Sequence, residues 1–115
     1  MSVLVGLSRS AEGAVALERG AQEAQLRGEA LLVIELEPRA ASAVALPQDA
    51  ELLVQQDHQD PVQGLLDAAA SRSASLVVVG TRRRSPVGKF LLGSWAQRVI
   101  LDAEVPVLVV KTPPA

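Results

Sequence analysis

Val3-Leu4-Val5-Gly6-Leu7 opens the chain as an unbroken apolar run, which predicts a strand buried on both faces rather than an amphipathic one. Good helix formers follow from Ala11 to Arg27. Ala14, Leu17, Ala21 and Ala24 recur there at three- and four-residue spacing, so they predict one apolar helix face. Ser10 stands where an N-cap belongs, and Gly28 stands just past the end. Ala30 to Leu36 is a second apolar run, ended by Pro38, and Glu51 to Gln55 a weaker third. Asp60-Pro61 is a helix start: a capping carboxylate, then a residue lacking the N–H that the first turn cannot use. Val62, Leu65, Leu66 and Ala69 give that helix its apolar face. Leu76 to Val79 predicts a fourth strand stopped by Gly80. Ser94 to Ala103 predicts a last helix, and Val105 to Val110 a fifth strand.

Apolar strands alternating with helices imply a parallel sheet covered on both faces, an α/β doubly wound fold. One connection departs from this. A parallel crossover usually takes a dozen or more residues and a helix, whereas Arg39 to Leu46 could make two turns at most before Pro47 interrupts the chain. The helix between the second and third strands is expected to be missing or vestigial. Alternate residues among Leu31, Leu32, Val33, Ile34, Leu52, Leu53 and Val54 would then lie bare on one face. The expected remedy is an apolar flap, Ala40 to Leu46, folded down over them, the alternative being a second contact with another subunit at this face.

With 115 residues the chain is one domain, expected over residues 1–111 with 112–115 as a frayed tail. Aromatics are only 2%, Phe90 and Trp95, so the core is built of Val, Leu, Ile and Ala. The absence of Cys excludes disulfides, thiolate metal sites and Cys nucleophiles, and a single His, His58, excludes any site needing two imidazoles. No apolar stretch approaches the ~18 residues of a membrane span, and no basic-then-apolar leader opens the chain. The expectation by default is a cytoplasmic protein with no membrane partner.

The net charge of −2 hides an asymmetry. Arg82, Arg83, Arg84, Lys89 and Arg98 fall in a stretch without any acidic residue, leaving about −7 for the rest. Such a chain is not expected to bind nucleic acid, but the basic stretch could hold a small anion. The stretch begins at Gly80, a strand end, and reaches Gly93-Ser94, a helix start. Glycines allow close backbone approach to phosphates, and a helix N-terminus offers free N–H groups. A bland reading stands beside this one: Ser94 and Gln97 fit a capping box, and Gly80 serves only to turn the chain. Sharper motifs fail. Gly88-Lys89-Phe90 lacks the Ser or Thr of a Walker A loop. Gly6-Leu7-Ser8-Arg9-Ser10 imitates a nucleophile elbow but ends in Ser. Asp57, His58 and Asp60 read as a solvated loop rather than a metal site.

Val78-Val79-Gly80-Thr81-Arg82-Arg83, then Gly93-Ser94-Trp95-Ala96-Gln97-Arg98-Val99, then Val105 to Val110 resemble the C-terminal signature of the universal stress proteins. That pattern is a glycine, two residues, a second glycine, nine residues, then Gly-Ser or Gly-Thr. Val3 to Leu17 resembles the family's first strand and helix. The resemblance implies five parallel strands of order 3-2-1-4-5 and a homodimer through the last strand, Val105 to Val110. It also implies two classes, one binding ATP in the glycine loop and one not. In the binding class the glycines and Gly-Ser contact ribose and phosphates, while an Asp ending the first strand and backbone ending the second contact the nucleoside.

This sequence departs from the pattern at two site positions: Ser8 stands where the Asp would, and Arg83 where the second glycine would. At the second-strand position, Glu35 or Leu36 would stand. Micromolar binding needs about 8 kcal/mol and a hydrogen bond to a charged group is worth roughly 1.5–3 kcal/mol. Ser for Asp should therefore weaken binding about ten- to a hundredfold. Arg83 loses the close approach of glycine but offers bidentate pairing to a phosphate. The expected site is Ser8, Gly80, Arg83, Gly93 and Ser94, without a metal. The expected cofactor is ATP or another adenine nucleotide, held weakly. The expected function is a regulatory binding module in stress response and not an enzyme, since no carboxylate or His lies between Gly80 and Ser94 to act as base. The alternatives are an ATP-binding or ATP-hydrolysing member of the family and a ligand-free structural module.

Overall fold

The computed structural model describes residues 1–56, 59–83, 90–91 and 93–112, with 82–83 and 90–91 by backbone alone. In chain order the elements are β1 (Ser2–Leu7), α1 (Ala11–Arg27), β2 (Ala30–Glu35), β3 (Glu51–Leu53), α2 (Pro61–Ser71), β4 (Ala74–Arg83), β5 (Phe90–Leu91), α3 (Ser94–Asp102) and β6 (Val107–Lys111). Five strands run parallel in the order β3-β2-β1-β4-β6, which is the expected 3-2-1-4-5 with β6 as fifth. β5 is an addition the apolar pattern does not announce. It lies antiparallel on the end of β4, pairing Arg82 with Leu91 and Arg83 with Phe90.

Strand side chains alternate between two cores. Val3, Val5, Leu7, Leu31, Val33, Leu76 and Val78 face α1. Leu4, Leu32, Ile34, Val77 and Val79 face α2 and α3, where Leu65 and Val99 are fully buried. Uniformly apolar strands are what a sheet covered on both faces requires.

Three expectations need correction. The buried face of α1 is Gly13, Ala16, Leu17, Gly20 and Ala24, with Ala14 exposed and Ala21 half-buried. The helix turns its glycines inward: a Cβ at Gly13 would stand 2.1 Å from the Ser8 carbonyl oxygen, so the main chains meet where no side chain fits. Gly80 does not stop β4. The strand runs on to Arg83, and Gly80 pairs with Val110. The last strand begins at Val107 rather than Val105, although the Pro106 carbonyl still accepts the Val77 N–H at 2.9 Å.

Helix ends follow local chemistry. Gly28 has φ 64° and closes α1 with a Schellman pair, Glu29 N–H to Ala24 O at 3.0 Å and Gly28 N–H to Gln25 O at 3.2 Å. Asp60 caps α2 by accepting the Val62 N–H at 3.0 Å. Its other carboxylate oxygen pairs with Arg98, which ties the start of α2 to α3.

The β2–β3 crossover is a single 3₁₀ turn, Ala40–Ala43. Ala40 is fully buried, and Ala41, Val44 and Leu46 pack on the α1-side core. The Ala41 N–H donates to Glu35 Oε2 at 2.9 Å. The expected flap is present, and its cover is partial: Leu52 is 40% exposed and Val54 87%. Thr112 belongs to the packed body, since its N–H donates to the Thr81 carbonyl at 2.9 Å.

Candidate functional site

In a parallel sheet every strand ends at the same edge, and the helix after each strand begins there. That edge carries Ser8 after β1, the end of β2, the end of β4 and the start of α3. Ser8 is buried, 2% exposed, with its Oγ 3.4 Å from Ser10 Oγ. The Ser10 side chain makes no capping hydrogen bond to α1. Gly80 sits under the first turn of α1, where a Cβ would stand 2.2 Å from the Glu12 carbonyl oxygen. Ser8 and Gly80 are thus drawn together by one element, the start of α1, which rests on both.

Gly93 is the N-cap of α3 with φ −65° and ψ 161°, and Ser94 is its first helical residue, exposed. This corrects the capping-box reading, in which Ser94 held the cap; here no side-chain cap bond is made. The N–H groups of Ser94, Trp95 and Ala96 have no partner within the helix, as for any first turn. Trp95, half-buried, leans on the α2-side core. The backbone of Arg83 is placed as the last residue of β4; its side chain, and His58, Arg84 and Lys89 altogether, lie outside the described residues.

The two helix starts differ electrically. α1 carries Glu12 in its first turn, 8% exposed, while the first turn of α3 has no acidic residue. A carboxylate at the positive end of a helix opposes a second anion there. Of the two, α3 is the end suited to an incoming anion.

Sequence reasoning missed the groups that finish the β1–β2 side of this edge. The Glu35 carbonyl accepts Gln55 Nε2 at 3.0 Å, and the same amide donates to the Pro61 carbonyl at 2.9 Å. The Leu36 N–H donates to the Leu7 carbonyl at 2.9 Å, and the Leu36 side chain is buried. Both backbone groups are therefore engaged inside the protein. Beyond them, Glu37 Oε1 accepts the Arg9 N–H at 3.1 Å and Glu37 Oε2 lies 3.8 Å from Arg9 Nε. These partners are distant in sequence, and no short motif announces them.

Two carboxylates elsewhere are held below their usual range by guanidinium hydrogen bonds: Asp60 by Arg98 and Glu51 by Arg72. Among the described residues, no three His, Cys, Asp or Glu side chains group to hold a metal ion. Among them, too, no helix is long and apolar enough to cross a membrane.

Comparison with known proteins agrees with this architecture. The model of the universal stress protein family matches residues 35–111. A universal stress protein of Mycolicibacterium smegmatis is 37% identical over 126 aligned residues, spanning 95% of this chain and 96% of that one. Among solved structures, a universal stress protein from Archaeoglobus fulgidus superposes with a TM-score of 0.81 at 27% identity, covering 96% of this chain and 98% of its own. A universal stress protein solved in complex with cAMP superposes with a TM-score of 0.68, also at 27% identity, over 97% of each chain. Strand order, the glycine at the start of α3 and a relative matched almost end to end lead to one conclusion: the chain belongs to the universal stress protein family.

Proposed function

We propose that this protein is a regulatory binding module of the stress response, a cytoplasmic homodimer whose carboxyl edge takes the phosphate of an adenine nucleotide weakly and without turning it over. The observation that carries the reading is the start of α3: a glycine cap, an exposed Ser94, first-turn N–H groups with no partner inside the helix and no acidic residue in the turn. The cAMP complex of a 27% identical relative supports an adenine nucleotide as the ligand class. In this reading Gly93 and Ser94 hold the phosphate and Arg83 pairs with it. Ser8 lines the nucleoside side, and Gly80 contributes by letting α1 settle against β4. Ser8 in place of an Asp, together with the engaged Glu35 carbonyl and Leu36 N–H, argues for weak binding of the base.

The sole Trp of the chain, Trp95, sits next to Ser94 and reports on the site. Titration with ATP, AMP and inorganic phosphate should change its fluorescence in the millimolar to high-micromolar range, and Arg83→Ala should weaken the response. A flat response to all three ligands refutes the reading. Release of ADP or AMP on prolonged incubation with ATP and Mg²⁺ would move the protein to the enzyme alternative.

A further inference from the structure

We propose that the groove between α1 and the β2–β3 crossover is a binding site for an aliphatic chain that carries a positively charged head. The groove lies on the α1 face of the sheet, whereas α3 covers the other face, so the proposal is independent of the anion reading at α3.

Topology leaves the groove. The steps from β1 to β2 and from β2 to β3 run the same way across the sheet, so right-handed connections put both crossovers on the α1 face. The first crossover is α1. The second is only the 3₁₀ turn Ala40–Ala43 and the residues leading on to β3, which do not fill the place of a helix beside α1. Ala14, Leu17 and Ala21 form one wall, at the spacing of a single helix face, and Ala43, Val44 and Pro47 form the other. The space between the walls measures about 590 Å³, within the range of small-molecule sites.

Shape and lining select the occupant. From Ala14 to Gln25 the α1 wall runs ~16 Å, which gives a mean cross-section of about 35 Å². A helix, about 10 Å across with its side chains, needs roughly twice that, whereas a single extended chain fits. Among the described residues no aromatic ring lines the groove, so the contacts it offers are aliphatic. Its polar side chains stand on one side, Glu18, Gln22 and Gln25 of α1, and among the described residues none of the three has a hydrogen bond or an ion pair. Arg19 and Arg27 of the same helix turn to Glu23 instead. The lining therefore carries one charge, negative and unpaired, and among the described residues no basic side chain to meet an anion. An alkylammonium matches both features: its chain covers the alanines and its head meets Glu18. A fatty acid would set carboxylate against carboxylate.

The test is calorimetry at neutral pH with hexylamine, octylamine and decylamine, below micelle formation, against octanoate and decanoate, with backbone NMR to map the site. Each added methylene should tighten the amines about two- to fourfold. The carboxylates should bind severalfold more weakly. Shifts should be confined to α1 and residues 40–47, with Trp95 fluorescence unchanged. Glu18→Lys should reverse the order, so that decanoate binds better than decylamine. Ala21→Leu should fill the groove and weaken decylamine about tenfold, and Ala14→Leu, at an exposed position of the same wall, replaces it if that variant is unstable. Absence of binding, affinity indifferent to chain length, shifts spread over the whole surface, or an order that Glu18→Lys does not change each overturns the proposal. So does an oligomer that Ala21→Leu dissociates while decylamine leaves it intact, which assigns the groove to a second copy. Binding of an amphipathic Leu/Lys helical peptide by a groove that ignores the amines assigns it to a protein helix and overturns the proposal as well. The Trp95 response to phosphate and ATP should be the same in the parent and Ala21→Leu, so failure here leaves the α3 reading standing and failure there leaves this one.

Discussion

A methyl group on Gly80 would stand 2.2 Å from the Glu12 carbonyl oxygen and 2.8 Å from its carbon, main-chain atoms that cannot turn aside. Gly80→Ala must therefore push α1 off β4, and overpacking of this kind costs about 1–3 kcal/mol or more. Gly93 is the contrasting case, because the nearest atom to its added Cβ is Trp95 Nε1 at 3.9 Å. Gly93→Ala should lose only the preference of an N-cap for Gly over Ala, about 1 kcal/mol. Urea unfolding of the two variants separates a packing glycine from one kept for backbone access. Charge acts at the same scale in Asp60. The Arg98 hydrogen bond, then the Val62 N–H, hold its carboxyl below the ordinary value of 3.8. A carboxylate whose pKa is lowered by folding stabilises the protein fully above its unfolded pKa, and that contribution is lost as pH falls through the folded value. Asp60→Asn should thus lower the melting temperature at neutral pH, and the gap should close in strong acid. A gap that persists there would assign the loss to capping geometry instead of charge.

The flap shows how an element can form where no regular one fits. Ala40 is fully buried, the Ala41 N–H is fixed to Glu35 Oε2, and Val44 and Leu46 lie on the core. Glu35→Ala should speed hydrogen exchange at Ala41, and Leu46→Ser should cost about 1 kcal/mol of stability for a half-buried side chain. Unchanged exchange at Ala41 would mean that the flap is held by its apolar contacts alone. Much of the fold was legible in the sequence, because fully apolar strands and a capped Asp60-Pro61 start depend on local chemistry. The face of α1 was not, because Gly13 and Gly20 carry no hydrophobic signal although both are buried hard against Ser8 and Val5. Nor was the length of β4: a glycine reads as a stop, whereas Gly80 here is a place where two main chains touch. β3 ends at Leu53 because Gln55 turns back to bind the Glu35 and Pro61 carbonyls, a long-range tie that no window of sequence contains. Of the expected site residues, Ser8 at the end of β1 and Gly93-Ser94 at the start of α3 fall at the carboxyl edge that the alternation of strands and helices implies. Arg9 and Glu37 stayed hidden because an exposed Arg and an exposed Glu look alike everywhere until the fold brings them together.

At the scale of the whole molecule, among the described residues β6 is paired to β4 on one side only, and Val107, Leu108, Val109 and Val110 are all half-exposed. An open apolar edge is a template for pairing, and two copies meeting about a two-fold axis would close it. Light scattering at tens of micromolar should give a dimer, and Val109→Lys should shift it toward monomer. A parent protein that is already monomeric there would remove β6 as the interface.

The same sheet has a kinetic consequence. Ser2 pairs with Ala74 and Val5 with Val78, so the middle of the sheet joins the first residues of the chain to its last third. The shortened crossover, in contrast, lets Leu32 find Glu51 across a brief stretch. Loop closure opposes the first pairing by about 1 kcal/mol more than the second, so docking of β4 on β1 should set the folding rate. Val78→Ala should then slow refolding, whereas Leu53→Ala at the edge should mainly quicken unfolding. Stopped-flow chevrons distinguish the two limbs. A flap that docks after this barrier would govern how long the native state lasts, and Leu46→Ser should then raise the unfolding limb while leaving the folding limb in place.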